Sequence, residues 1–229
     1  MKRERGTPSE NILARIEKAG VIPVVVIKDH KKAVQLGRAL LDAGLDLIEI
    51  TLRTERAIDA IRALSKILPD MLVGAGTVFS VAAAKEALSA GAQFIVSPHL
   101  DEQIITYCAR KDIVCIPGVF TPSEVQRAIS AARNGSRKNV RDLPLVIKVF
   151  PASTGGPSHI TAMRAVFPDA RFMPLGGVNP ANTAKYIKGG AWAVGGTWIC
   201  KKEFIDSSNF TQISQLAKEA LALIEAARK

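Results

Sequence analysis

Apolar residues along the chain follow two alternating rhythms, short unbroken runs and longer stretches of helical spacing. Short β-branched runs read as strands buried on both faces. Apolar positions three and four residues apart read as amphipathic helices. Ser9 is placed to cap a helix over 10–18 that Gly20 stops, and Val21 to Ile27 reads as a first strand. The spacing predicts a helix over 31–43 with Ala33, Leu36, Ala39, Leu40 and Ala43 on one face, then a strand over 45–52. Thr54 is placed to cap a helix to about Leu68, with Ile58, Ile61, Leu64, Ile67 and Leu68 as its stripe. Strands over 71–74 and 93–96 flank a helix that Ser80 opens and Gly91 ends. A helix over 101–110, a strand over 113–116 and a helix over 121–133 follow, the last capped by Thr121 just before Pro122. A sixth strand lies within Leu145 to Pro151. Then come a helix over 157–166, a strand over 171–175, a helix over 179–187, a strand over 191–195 and a last helix over 210–227.

The pattern is eight short strands, each followed by a helix or a helix-opening turn. Strict alternation demands a parallel sheet, and eight strands favour closure into a (β/α)8 barrel. With no linker or low-complexity break, residues 1–229 read as one domain, with the helix before strand one covering the barrel's bottom. In such barrels the active site lies at the C-terminal ends of the strands.

The chain of 229 residues is 48% hydrophobic, enough for one full core, and carries a formal charge of +10. Part of that charge is the run from Arg133 to Arg141, four cations without an acid. No aromatic interleaves it for base stacking, so it reads as a solvated loop and not as a nucleic-acid site. Cys108, Cys115 and Cys200 show no metal spacing and read as buried free thiols of a reducing compartment. The polar lead-in before the first helix is no apolar signal region, and no run approaches the roughly 20 residues of a membrane span. The expectation is a cytoplasmic protein.

The chemistry sits where charge interrupts apolar strands. Lys148 stands inside Leu145-Val146-Ile147-Lys148-Val149-Phe150-Pro151. Either it snorkels to solvent, or burial strips its proton and leaves a nucleophilic amine of the Schiff-base kind. Glu49 interrupts strand two in the same way. Alternation puts it on one side with Thr51 and Arg53. It either neutralises a buried cation or, with a raised pKa, shuttles protons. Arg53 at the strand exit suits a carboxylate through its planar fork. Gly74-Ala75-Gly76-Thr77 offers small residues for close ligand approach and a hydroxyl on Thr77, and His99 follows the exit of strand four. Glycine pairs at 176–177 and 195–196, the latter followed by Thr197, stand at the exits of strands seven and eight. That is the barrel's usual phosphate site. An amine, a carboxylate, a guanidinium and a phosphate cradle suit a keto acid carrying a phosphate. No dense Asp/Glu/His cluster suggests a metal, and an iminium is itself an electron sink, so no cofactor is expected.

IEITLRT around Glu49, GAGTV at 74–78, SPHL at 97–100, IPGVFTPSE at 116–124, KVFPA at 148–152, GGVNPAN at 176–182 and GGTW at 195–198 resemble the class I 2-keto-3-deoxy-6-phosphogluconate (KDPG) aldolases. The resemblance runs in order along nearly the whole chain. It implies a (β/α)8 barrel, usually a homotrimer, with Lys148 forming the Schiff base with pyruvate and Glu49 as acid/base. It also implies that Arg53 and Thr77 hold the pyruvate carboxylate, that Pro98 and Phe150 line the pocket, and that Gly176, Gly177, Gly196 and Thr197 hold the phosphate. The chain departs from the family pattern at Leu175, which removes a hydroxyl, at Val26, where some members have arginine, at His99, and in the length of the basic segment. The expected reaction is cleavage of KDPG to pyruvate and glyceraldehyde 3-phosphate. The nearer rivals are aldolases for 2-dehydro-3-deoxy-6-phosphogalactonate or 4-hydroxy-2-oxoglutarate. The distant rival is a non-catalytic phosphosugar or nucleic-acid binder.

Overall fold

The structure, a computed structural model, describes residues 7–136 and 145–229. Most of the basic segment therefore lies outside the described residues. Strands β1 (Val21–Val25), β2 (Leu47–Thr51), β3 (Leu72–Gly76), β4 (Phe94–Val96) and β5 (Val114–Ile116) are parallel neighbours in sequence order. After β5 the chain passes Pro117 and resumes as β6 (Gly118–Val119), which pairs with β7 (Val146–Val149), itself paired with β8 (Arg171–Pro174). A proline has no N–H for the ladder, so one strand reads as two pieces. The Pro117 carbonyl still accepts from Lys148 N at 2.9 Å. The last strand, β9 (Val194–Gly196), pairs with β1, and Trp192 N just before it donates to Phe172 O of β8 at 2.9 Å. The ring is thereby closed, and the fold is the expected (β/α)8 barrel.

Helices α1 (Pro8–Ala19), α2 (Ala33–Asp42), α3 (Ala57–Ile67), α4 (Val81–Ser89) and α5 (Glu102–Arg110) are followed by α6 (Pro122–Gly135), α7 (Ala152–Val166), α8 (Pro180–Lys188), α9 (Lys202–Asp206) and α10 (Phe210–Arg228). Their apolar stripes lie on a sheet whose β1, β2, β3, β4 and β7 residues are all buried. The first helix crosses the N-terminal ends of the strands. Arg15 binds the Asp46 carboxylate and the Asp46 and Asp70 carbonyls, and Ser9 Oγ donates to Asp112 Oδ1. Asp46, Asp70 and Asp112 stand just before β2, β3 and β5, so α1 closes the bottom, as the sequence predicts.

Several local expectations are corrected. Thr7, not Ser9, caps α1, in a reciprocal box with Glu10 around Pro8, which leaves the Ser9 hydroxyl for Asp112. Thr54 does not cap α3. Its hydroxyl donates to Ile27 O at 2.6 Å and ties the exits of β1 and β2 together. Ile67 is 49% exposed, while Ala57 and Ala60 take the buried face with Ile61 and Leu64. The helix expected from 157 begins at Ala152 and is broken by Gly156 at φ 65°, ψ −170°, a conformation open to glycine. The short α9 was not foreseen in the pattern. Cys108 and Cys200 are buried as expected, but Cys115 is half-buried, and all three are free thiols.

Gly74 makes room for its neighbour. A Cβ there would stand 2.1 Å from the Phe94 ring. Overpacking of this kind costs about 1–3 kcal/mol. Gly74→Ala should lower the urea midpoint accordingly, and adding Phe94→Leu should restore part of it.

Candidate active site

Around the ring, β2 and β7 are separated by β3, β4 and the β5–β6 strand, and so face each other across the barrel. Each carries one ionisable residue among apolar ones. Glu49 is 1% exposed and Lys148 is 4% exposed. No hydrogen bond or ion pair joins them, although each feels the other's charge. Glu49 Oε2 is buried without a hydrogen-bond partner. Oε1 sits over Gly76, where a Cβ would lie 1.8 Å from it. The small residues at the exit of β3 thus admit side chains of the neighbouring strands, Glu49 and Phe94.

Burial holds the Glu49 carboxyl above its ordinary value of 4.5, with the charge of Lys148 pulling the other way. Burial likewise holds the Lys148 amine below its ordinary 10.5, opposed by Glu49. A carboxyl that keeps its proton more readily and an amine that loses its proton more readily face each other inside the barrel. That is the condition for nucleophilic and acid–base work near neutral pH. The snorkelling reading of Lys148 fails, since its Nζ stays inside, 4.9 Å from the centroid of the Phe150 ring.

At the exits above this pair the backbone is held tightly. Thr51 Oγ1 donates to Val25 O at 2.8 Å. Arg53, two residues on, is exposed and has no ion-pair partner among the described residues. Thr77 adopts φ 59°, an outlier for a β-branched residue. Such strain gathers at functional sites. Pro98 is half-buried, and its backbone presses on Gly118, where a Cβ would stand 2.4 Å from Pro98 C. Phe150, 37% exposed, packs on Gly176 and precedes a cis peptide bond to Pro151. His99 stands at the mouth, stacked on the exposed Phe79 ring with centroids 5.5 Å apart.

At the exit of β8, beside Phe150, Gly176 and Gly177 take φ 89° and 85°. The N–H groups of Gly176, Gly177 and Val178 have no acceptor among the described residues. Consecutive free amides of this kind form an anion-binding concavity. Asn179 and Asn182 bind Gly177 O from behind and so fix the turn. Gly196 is buried and Thr197 exposed beside it. Leu175 is 5% exposed and covers Gly195, so it fills space and offers the rim no polar group. The structure therefore gathers Lys148, Glu49, Phe150 and the glycine pairs at one end of the barrel. Among the described residues no group of three or more His, Cys, Asp or Glu side chains could hold a metal ion. No helix there is long and apolar enough to cross a membrane.

A closed barrel with a buried lysine facing a buried carboxylate, beneath a rim of free backbone amides, has the make-up of a lysine-dependent aldolase. Residues 12–216 match the family described as "Aldolase: KDPG and KHG aldolase", and the chain belongs to that family. It is 36% identical over 204 residues to the 2-dehydro-3-deoxy-phosphogluconate aldolase of Pseudoalteromonas atlantica, covering 88% of this chain and 90% of that one. It is also 36% identical to the KHG/KDPG aldolase of Escherichia coli, covering 94% and 95% of the two chains. The crystal structure of KDPG aldolase from Legionella pneumophila, with pyruvate captured as a covalent carbinolamine, superposes with a TM-score of 0.81 at 34% identity, covering 93% and 97%.

Sequence reasoning missed the packing of Glu49 on Gly76, the Phe79–His99 stack and the Ser153 side chain against Gly177. None of these carries a sequence signal, because each joins residues from different strand exits.

Both buried charges oppose stability near neutrality. With a raised folded pKa, Glu49's contribution is greatest below its ordinary 4.5 and is lost as pH rises through the folded value. With a depressed one, Lys148's contribution is greatest above 10.5 and is lost as pH falls through the folded value. Replacing the pair by neutral residues of similar size should therefore stabilise the fold. Glu49→Gln with Lys148→Met should raise unfolding free energy at pH 7 by about 1–4 kcal/mol, read by urea titration.

Proposed function

We propose that the protein reversibly cleaves 2-keto-3-deoxy-6-phosphogluconate to pyruvate and glyceraldehyde 3-phosphate. The observation that carries this reading is the Lys148 amine held inside the barrel across from an unpartnered Glu49 carboxyl. In its neutral form Lys148 Nζ attacks the C2 ketone. Glu49, acting through a water, returns a proton to the carbinolamine hydroxyl, which leaves as water and gives the iminium. Glu49 then takes the proton of the C4 hydroxyl as the C3–C4 bond breaks. The aldehyde departs, and the bonding pair passes to the iminium as an enamine. Protonation at C3 and hydrolysis release pyruvate and regenerate the amine.

Arg53 and Thr77 are the residues proposed to hold the keto-acid carboxylate, supported by the free guanidinium and by the strain at Thr77. Pro98 and Phe150 line the apolar wall. Gly176, Gly177, Gly196 and Thr197 take the phosphate, supported by the three free amides. The same reading includes a homotrimer, carried from the family resemblance. The nearer rival, cleavage of unphosphorylated 4-hydroxy-2-oxoglutarate, is favoured by Leu175, whose buried apolar side chain gives the rim no hydroxyl.

Pyruvate and borohydride should leave a mass adduct on the wild-type chain and none on Lys148→Ala. An adduct surviving in that variant removes Lys148 from the mechanism. Glu49→Gln should lower kcat about 10²–10⁴-fold with the fold intact by circular dichroism. In a panel of the three keto acids, kcat/KM should be highest for the phosphogluconate derivative.

A further inference from the structure

We infer that Ser153 is a specificity-determining residue whose hydroxyl completes the phosphate subsite, an inference that rests on the phosphosugar reading above. The residue lies in the first turn of α7, ahead of the break at Gly156, so sequence periodicity assigned it to no element. Two hydrogen bonds pin this turn against the exit of β8, and a third ties it to α8. Ala152 N donates to Leu175 O at 2.8 Å, Ser153 N donates to Gly176 O at 2.9 Å, and the buried Tyr186 hydroxyl donates to Ala152 O at 3.0 Å. Ser153 is thereby held beside the glycine pair. A Cβ on Gly177 would stand 2.6 Å from Ser153 Cβ and 3.2 Å from its Oγ.

The side chain is exposed, and its hydroxyl has no hydrogen-bond partner among the described residues. Beside it are the three amides of Gly176, Gly177 and Val178, which also lack acceptors. Backbone amides at positive φ cradle an anion but supply only fixed donors. A rotatable O–H at the edge of the cradle adds a donor that follows the phosphate oxygens. Leu175 offers no hydroxyl from the strand itself, so Ser153 provides from the facing turn what the strand does not. A phosphate ester gains from this donor and an unphosphorylated keto acid does not, which makes the residue a discriminator between substrates.

The test is Ser153→Ala, which keeps the Cβ that packs on Gly177 and removes only the hydroxyl. The ratio of kcat/KM for 2-keto-3-deoxy-6-phosphogluconate to that for 4-hydroxy-2-oxoglutarate should fall about tenfold. The fall should appear in KM, with kcat for the phosphorylated substrate retained. The inhibition constant of inorganic phosphate should rise by a similar factor, and Ser153→Thr should restore both. An unchanged ratio and phosphate constant in Ser153→Ala, or an equal loss on both substrates, overturns the role of Ser153 while the wild-type preference for phosphate stands. A wild-type enzyme with no such preference overturns the phosphosugar reading itself, and the inference with it.

Discussion

Glu49 and Lys148 are ionisable groups of opposite sign, both buried in the barrel interior. In such surroundings one uncompensated ion is expelled or neutralised, and mutual attraction offsets only part of the cost. The two side chains feel each other without forming an ion pair. A closed salt bridge would lock both groups in their charged forms and occupy the space between them. Without that bridge each keeps a shifted proton affinity. The barrel enforces this, because side chains from opposite strands are set by the ring's diameter and not by their own preference.

The rest of the molecule fastens the barrel at both ends. At the bottom, α1 ties itself to the residues that precede β2, β3 and β5 through Arg15 and Ser9. At the top, the exits are fastened to one another sideways. Thr51 binds β1, Thr54 binds the segment after β1, and Ala152 and Ser153 bind the segment after β8. Close backbone approach at Gly76, Gly118 and Gly177 lets neighbouring exits press together without a Cβ between them. The strain at Thr77 and the free amides after β8 survive because the surrounding strands over-determine the backbone there.

The order of elements was legible because strands buried on both faces must be uniformly apolar, while helices covering them must be amphipathic. Ser80, Thr121 and Asn179 cap as the local sequence demands, since a cap needs only its own next three residues. Thr54 and Ser9 defeated the same reasoning because each hydroxyl found a partner far along the chain, Ile27 O and Asp112. Gly156 hid the first turn of α7, because a glycine followed by proline reads as loop whether or not a helical turn precedes it.

By itself the sequence determined the alternation, the barrel, and the two charged residues that interrupt apolar strands, since burial of a continuous apolar run is a local property. It also placed glycine pairs at the exits where an anion can meet free backbone. Only the tertiary structure decided that Glu49 and Lys148 face one another unpaired, that Gly76 exists to seat a carboxyl, and that Ser153 stands beside Gly177. Those facts depend on the curvature of the closed sheet, which brings together residues that no spacing along the chain relates.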